Sequence, residues 1–432
     1  MASITAYQQL MSMFAYAKTL ANIKNLLLMD MALTMPRAAI KQRMKDIDTL
    51  SLKHFSILSG QEMTKLIDLC YEDLEKQPDN WTQWDKTNLF LTQRAHLKYA
   101  CLDADLYIKM IHGQNLGRHR QRAVLQSGNT NDAKAILAES LRVSKQVAER
   151  RQKALETQTP YEALLQDYFH DVSIETIENF YEQILPVIRE YSSGHSHLNP
   201  SEFQDVKTGK KEIMTIGARM LQDYGFDFTR GRLLISQLGS FCSGSNMDAR
   251  ILVRCSDPPS LNDTLSDLLY QGARGLFIQK VPQEWSDQPI GNIFDCPGYY
   301  ACSILNEHII GHTKEFCGYF AEQLNASNAT AGQKITEDDL LRLRHARFKH
   351  TTKRDDADIL GKILHDILRY RIEKDLINGH QDVSDIEDRW NAESEDLLGI
   401  VPDNPKDGFF QNYDWFGGRY GAIASHSISV SL

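Results

Sequence analysis

Apolar residues recur every three or four positions over most of this chain, the spacing of one helical face. The pattern predicts helices over residues 11–33, 39–58 and 62–75, the first stopped by Pro36. Two long stretches, 84–116 and 131–155, are charged on one face and low in glycine and proline. They predict an antiparallel helical pair broken at Ser127-Gly128-Asn129-Thr130. A further amphipathic helix spans 173–185, with Ser173 as its N-cap and Glu175 in the first turn, where a carboxylate suits the helix dipole. Thr176 at the third helical position leaves no full capping box, and Pro186 ends or kinks the helix. Residues 192–200 read as a loop. The middle differs: residues 250–254 are short and rich in Ile, Leu and Val, a strand with which 233–238 can pair. Helix returns over 260–279, 299–324, 336–350 and 357–378, with a polar loop at 325–333 and an aromatic, glycine-rich tail after Gly408. The expected fold is mostly α, a single large helical domain over 1–432 with a small β-sheet.

Composition narrows the function classes. The 432 residues hold enough chain for a sizeable core, and 42% are hydrophobic, which argues against disorder. The net charge of −9 argues against a general nucleic-acid binder, which needs a basic stripe. Seven cysteines at irregular spacing include no C-x-x-C pair, so zinc ribbons and thioredoxin-type motifs are excluded and reduced thiols are expected. The N-terminal stretch lacks a basic region followed by an apolar core, and the apolar run at 26–33 is broken by Asp30. The expectation is therefore a cytoplasmic chain with no signal peptide, membrane segment or membrane role. Four N-x-[ST] sequons, at Asn80, Asn262, Asn325 and Asn328, carry no meaning in that compartment.

A series of landmarks resembles a known family. LLLMD at 26–30, closing with Met35-Pro36, is similar to an LLxWDxxTxMP segment, and PYEALL at 160–165 to PYDALL. GFDFTRGRL at 225–233 matches GFDxxRGRLD almost letter for letter, and DARI at 248–251 with Arg254 resembles DVRITTRY. PQEW at 282–285 followed by QPIG at 288–291 resembles LPxEW…QPVG. Residues 356–374 resemble DADEVTYxxHVILRYRIEK, while LLGIVP at 397–402 and QNYDW at 411–415 resemble LLGIxP and LQDxHW. In this order and spacing they resemble the carboxypeptidase Taq family of zinc metallocarboxypeptidases over nearly the whole chain. The resemblance implies a helical fold with a deep central groove, formed by residues 201–432 after a helical part at 1–200. It also implies an HExxH zinc site and homodimers.

The departures from the family pattern concentrate on its chemistry. Counting back from Pro282 places HExxH on Tyr270-Gln271-Gly272-Ala273-Arg274, so both histidines and the catalytic glutamate are replaced. Counting back from Glu315-Phe316 places HESQS on 299–303, which turns the third ligand into Tyr300. HPF becomes Gly239-Ser240-Phe241, the Thr-Tyr of DADEVTY becomes Gly361-Lys362, and GYFPTY becomes 421–426. The chain is also shorter before Asp356 and stops where the family continues into further helices. Zinc takes about three His, Glu or Cys ligands, and Tyr, Arg and Tyr do not supply them. A fixed guanidinium repels a divalent cation, and Gln cannot take a proton. Without a metal no bound water reaches a useful pKa. The expectation is lost metallopeptidase chemistry on a retained fold, with no metal and no other cofactor.

Three readings follow. In the first, the cleft is a repurposed, metal-independent site for a small amino-acid- or peptide-derived substrate. Tyr270, Arg274, Tyr300 and His365 are then its catalytic candidates, Arg274 as a bidentate carboxylate fork and the tyrosines as donors or general acids. Gln271, Tyr299, Cys302, Arg250, Asp358, Asp414 and His426 are its substrate-binding candidates. Asp358 and His365, seven residues apart, can share a helix face as a proton-transfer pair, against the plainer reading of caps and salt bridges. Cys302 is by default a buried inert thiol. Isomerisation, cyclisation, elimination or condensation are the reaction types such groups run. In the second reading the chain is a non-catalytic pseudopeptidase acting as a binding or partner subunit, its old site filled by aromatic packing. In the third, His308 and His312, with Glu315 following, form a relocated metal site, although His-Ile-Ile-Gly-His lacks the intervening glutamate. No phosphate-binding glycine loop and no serine-nucleophile elbow is present.

Overall fold

The computed structural model describes residues 5–169, 172–194, 208–236, 239–256, 259–292, 296–327, 329–330, 332–346 and 351–431. The N-terminal third is helical throughout. Helix α1 (Ala6–Leu33) starts at a capping box between Thr5 and Gln8 and ends before Pro36. It is followed by α2 (Ile40–Leu58) and α3 (Gln61–Lys76). The continuous helix expected over 84–116 is two helices, α4 (Gln83–Ala100) and α5 (Ala104–Ser127). Asp103 is the reason: its carboxylate accepts from Leu106 N, and that N-cap starts a new helix where periodicity saw one. Gly128, with φ 68°, then turns the chain, and Asn129 caps α6 (Thr130–Leu155), giving the expected pair as α5 and α6.

The short α7 (Pro160–Leu165) and the longer α8 (Ile174–Gly194) follow. Ser173 Oγ accepts from Thr176 N, as a cap should. Pro186 does not end α8, which runs on for two more turns, so 192–194 of the expected loop are helical and 195–200 lie outside the described residues. After α9 (Lys210–Asp223) come three strands, β1 (Gly231–Ser236), β2 (Phe241–Ser245) and β3 (Asp248–Arg254), in the order β1-β3-β2. β1 runs parallel to β3 with Leu233 opposite Ile251, the expected pairing; the last two residues expected in this strand, 237–238, lie outside the described residues. β2 pairs antiparallel to β3 and was not anticipated, because Phe-Cys-Ser-Gly-Ser carries no strand pattern.

Helix α10 (Leu261–Gln279) packs on this sheet. The helix expected over 299–324 is broken. It consists of α11 (Pro297–Ile304), a π turn at Leu305–Ile309, a 3-10 turn at Ile310–His312 and α12 (Lys314–Ala326). The break is held from outside by the fully buried Arg344 of α13 (Glu337–His345). Its guanidinium donates to two carbonyls of the irregular turns, Gly311 O at 3.1 Å and Glu307 O at 3.2 Å, and to Ser266 Oγ at 2.7 Å. The helix expected over 336–350 ends at His345, because Ala346 leaves helical backbone with ψ 83°; residues 347–350 lie outside the described residues. The chain closes with α14 (Ile359–Asn378), α15 (Ile386–Leu398), α16 (Tyr413–Phe416) and α17 (Ala422–Ile428).

Three apolar clusters form the core: α1 to α4; α5 to α8 with α14 to α17; and the sheet with α9 to α13. The landmark segments meet in the second. Glu373 of α14, 1% exposed, accepts from Tyr161 Oη (3.1 Å), Trp415 Nε1 (2.8 Å) and Gly421 N (2.9 Å). Burial pushes its carboxyl up to about 7 against these three donors. Gly113 and Gly117 let α5 press onto α16: a Cβ at Gly117 would lie 2.7 Å from Gly417 Cα. No helix among the described residues is long and apolar enough to cross a membrane.

Candidate functional site

Spacing along α10 brings Asp267, Tyr270, Gln271 and Arg274 onto one face, at positions i, i+3, i+4 and i+7. Arg274 Nη2 donates to Tyr270 Oη at 3.2 Å. Its guanidinium carbon also lies 4.7 Å from the ring centres of Tyr270 and Tyr299 and 4.5 Å from that of Tyr300. Tyr299 and Tyr300 come from α11, so two helices build one aromatic surround for a single cation, an attraction between charge and ring quadrupole. Tyr299 is buried, and burial also pushes the Cys242 thiol of β2 up to about 12. Burial pushes the Tyr270 phenol up against the pull of Arg274 and Arg354, so it is a hydrogen-bonding phenol at neutral pH.

His426 of α17 completes the group. Its ring centre is 6.4 Å from Tyr270 and 5.9 Å from Tyr300. His426 Nδ1 lies 2.8 Å from Asp366 Oδ2, and the carboxylate, which can only accept, assigns the proton to Nδ1 and leaves the lone pair on Nε2. Arg354 reaches Asp366 through Nε (2.6 Å) and Nη2 (3.1 Å), and its Nη2 is 3.0 Å from His426 Nδ1 and 3.4 Å from Nε2, the ring nitrogen able to accept from it. Burial alone would raise the Asp366 carboxyl, but Arg354 and His426 outweigh it and hold it well below the usual range. Burial lowers His426, and Arg354 adds to this against Asp366, so the ring is neutral near pH 7. Asp267, one turn before Tyr270, accepts a short hydrogen bond from Ser240 Oγ, and burial raises it to about 6.

Five expected site residues, Tyr270, Arg274, Tyr299, Tyr300 and His426, thus come together. Gln271 is buried beside them, with Oε1 lacking a hydrogen-bond partner among the described residues. The others are engaged elsewhere. His365 is fully buried, its Nε2 is 3.0 Å from Thr351 O, and burial with Arg369 lowers it to about 3. Asp358 caps α14 by accepting from Gly361 N at 2.7 Å, so the expected Asp358–His365 pair does not form. The histidine–carboxylate pair observed is His426–Asp366. Arg250 makes a two-pronged pair with Asp248, both contacts 2.9 Å, and Asp414 faces Arg419 at 3.9 Å. Cys302 lies two residues past Tyr300, about 200° round the helix, and burial keeps it a thiol. Sequence reasoning missed Asp366 and Arg354. The signal for Asp366 was an acidic residue inside the apolar run Ile363-Leu364-His365-Asp366-Ile367-Leu368, where the resembling motif has Val.

Three phenols and a guanidinium do not fit a divalent cation, which takes His, Cys or carboxylate donors. The chain contains no His-Glu dipeptide and hence no HExxH. Among the described residues, no group of three or more His, Cys, Asp and Glu is placed to hold a metal. The alternative pair, His308 and His312, does not sit on a regular helix as expected, since the π and 3-10 turns intervene. Both ring nitrogens of His312 point at carbonyl oxygens, Glu307 O and Arg344 O, each at 2.9 Å, so neither is directed at a metal. His308 Nε2 lies 3.4 Å from both Lys362 Nζ and Glu307 Oε2.

A family model described as carboxypeptidase Taq (M32) metallopeptidase matches residues 9–429. Carboxypeptidase 1 of Bacillus subtilis is 24% identical over 274 residues, 62% of this chain and 54% of its own length. Thermostable carboxypeptidase 1 of Pyrococcus furiosus is 23% identical over 278 residues, 63% of this chain and 55% of its own. The match thus spans about half the length of these curated relatives. Among solved structures, Trypanosoma cruzi metallocarboxypeptidase 1 superposes with a TM-score of 0.86 at 21% identity, over 99% of this chain and 85% of that one. A structure of Pyrococcus furiosus carboxypeptidase gives 0.85 at 20% identity, over 98% and 84%. At such identity the superpositions speak for the fold.

Proposed function

Because the chain belongs to the carboxypeptidase Taq (M32) metallopeptidase family, we propose that its former metal cleft now works without a metal. In this reading Tyr270, Arg274 and Tyr300 stand at the family's zinc-ligand positions, and zinc-dependent peptide hydrolysis is lost. The site instead receives a small carboxylate-bearing substrate derived from an amino acid or peptide. Arg274 holds the carboxylate, with its fork fixed by the tyrosine rings. Tyr270 and Tyr300 donate hydrogen bonds, and His426, oriented by Asp366 as base-orienting carboxylates do, moves the proton through Nε2. The reaction class is proton transfer: isomerisation, cyclisation, elimination or condensation. His426 takes the base role that the sequence assigned to His365.

The observation that carries this reading is the Arg274 guanidinium, 4.5–4.7 Å from three tyrosine rings and beside the His426–Asp366 pair. The test is equilibrium binding of N-acyl amino acids and short peptides in the presence of a chelator, followed by a turnover screen of the ligands that bind. Arg274→Met should weaken binding at least about tenfold, the worth of one charge-assisted hydrogen bond. His426→Gln should abolish turnover and leave binding intact. Chelator-sensitive release of C-terminal residues from peptides would overturn the proposal.

One observation favours the second reading, a non-catalytic binding subunit. Arg354 is already neutralised by Asp366, and Arg274 is already surrounded, so both cations have company within the fold. Binding that survives in His426→Gln with no turnover in any variant would select it. A homodimer forms part of the proposal through the family resemblance, and sedimentation velocity tests it.

A further inference from the structure

A polar cavity lies among helices that carry none of the residues above. It measures about 160 Å³ and is lined from α1, α2, α4 and α6 and by Asp167 and Asn292. That is about ten times the volume a single water needs, room for a small organic ion. Its lining is cationic. Lys98 Nζ and Arg151 Nη1 share Asp167, at 3.1 and 2.7 Å, and Lys18 has a backbone carbonyl, Gly291 O, at 3.1 Å. Lys24 is two turns along α1 from Ala17, on the same face, and makes no hydrogen bond or ion pair among the described residues. His54 Nδ1 is buried without a partner among them. One lining carboxylate therefore serves a wall that contains Lys18, Lys98 and Arg151, with Lys24 beside it.

We propose that this cavity binds a small oxyanion, held by the lining residues Lys18 and Lys98 with Arg151 behind them, and drawn in by the charge of Lys24 outside the lining. Buried cations without matching charge are costly, and an oxyanion supplies both the charge and the acceptors. The lysines carry the mark of that cost: burial lowers Lys18 to about 8, against the pull of Asp287, and lowers Lys24 and Lys98 as well. Arg151 and Lys98 hold Asp167 at about 2 against its burial, so the one lining carboxylate is already committed to them. The site is separate from the Arg274 cluster and stands whether or not the function proposed above holds.

The test titrates the full chain with inorganic phosphate and with succinate, against sodium chloride at equal ionic strength, by calorimetry and thermal melting. Saturable binding of one equivalent is expected, weakened at least about tenfold in Lys24→Met and Lys18→Met and unchanged in Arg274→Met. Preference between phosphate and succinate tells which oxyanion class the site takes. Wild-type protein supplies a second readout: acetic anhydride labelling of Lys18 and Lys24 should fall at least about fivefold when the anion is bound, because the ammonium form returns. A response no larger than that to chloride, wild-type binding by both lysine variants, or unchanged labelling would overturn the proposal.

Discussion

His426 Nδ1 lies 2.8 Å from Asp366 Oδ2, and Arg354 grips the same fully buried carboxylate at 2.6 Å. Of these two contacts the ion pair dominates stability. Replacing Asp366 with Asn leaves a buried guanidinium facing a neutral amide, a loss of about 3–5 kcal/mol. Replacing His426 with Asn removes one hydrogen bond and leaves Arg354–Asp366 in place, a loss of about 1 kcal/mol. Urea unfolding of the two variants checks this; equal losses would show that the ion pair is not the anchor.

Acid should weaken the protein through its buried histidines. Burial lowers His365 to about 3 and His54 to about 4. These folded values lie below the unfolded 6.5, so each ring is neutral in the fold and the unfolded chain takes up the extra proton. Their contribution is therefore complete above pH 6.5 and falls as pH drops toward 4. The slope is about 1.4 kcal/mol per pH unit for the fully buried His365 and less for the partly exposed His54. Glu373, raised to about 7, and Asp267, raised to about 6, take up their protons first in the folded state and oppose this loss. Asp366, held below its ordinary 3.8, adds a loss only below that value. Thermal melts of the wild type and of His365→Gln between pH 7 and 4 isolate the histidine slope, and equal slopes in the two would contradict the neutral assignment.

Glu373 accepts from Tyr161, Trp415 and Gly421, and those donors sit in three separate landmark segments. Gln has one acceptor oxygen and would turn an N–H toward at least one of them. Glu373→Gln should cost about 1–3 kcal/mol, the price of a buried donor left unmet. Chemical denaturation reads the loss, and an unchanged midpoint would mean that the three donors are satisfied in another way.

Helix positions were legible because periodicity marks which face is buried, and it does so for α1, α2, α3, α6 and α10. Breaks were legible only where a local residue enforces them, as Gly128 does. The break at 101–103 depends on an Asp103 cap inside a periodic run. The break after Ile304 depends on Arg344, forty residues away, which no local pattern contains. Candidate site residues followed the same rule. The α10 and α11 positions could be counted from landmarks, and they do converge. Asp358 and His365 were paired on helix spacing alone, but one caps its helix and the other turns to Thr351 O. The pair that exists, His426–Asp366, joins residues sixty positions apart and is visible only once α14 and α17 pack together.

In the proposed reading Tyr270, Arg274 and Tyr300 stand at the ligand positions of a zinc site and bind no zinc. Zinc stoichiometry, measured after incubation with excess zinc and gel filtration, tests it most directly. The wild-type chain should retain under about 0.1 equivalent. A variant carrying Tyr270→His, Gln271→Glu, Arg274→His and Tyr300→Glu should retain about one, because it restores three ligands of the required types. One tightly held equivalent in the wild type, or none in the four-residue variant with its fold intact, would show that these positions are not a former zinc site.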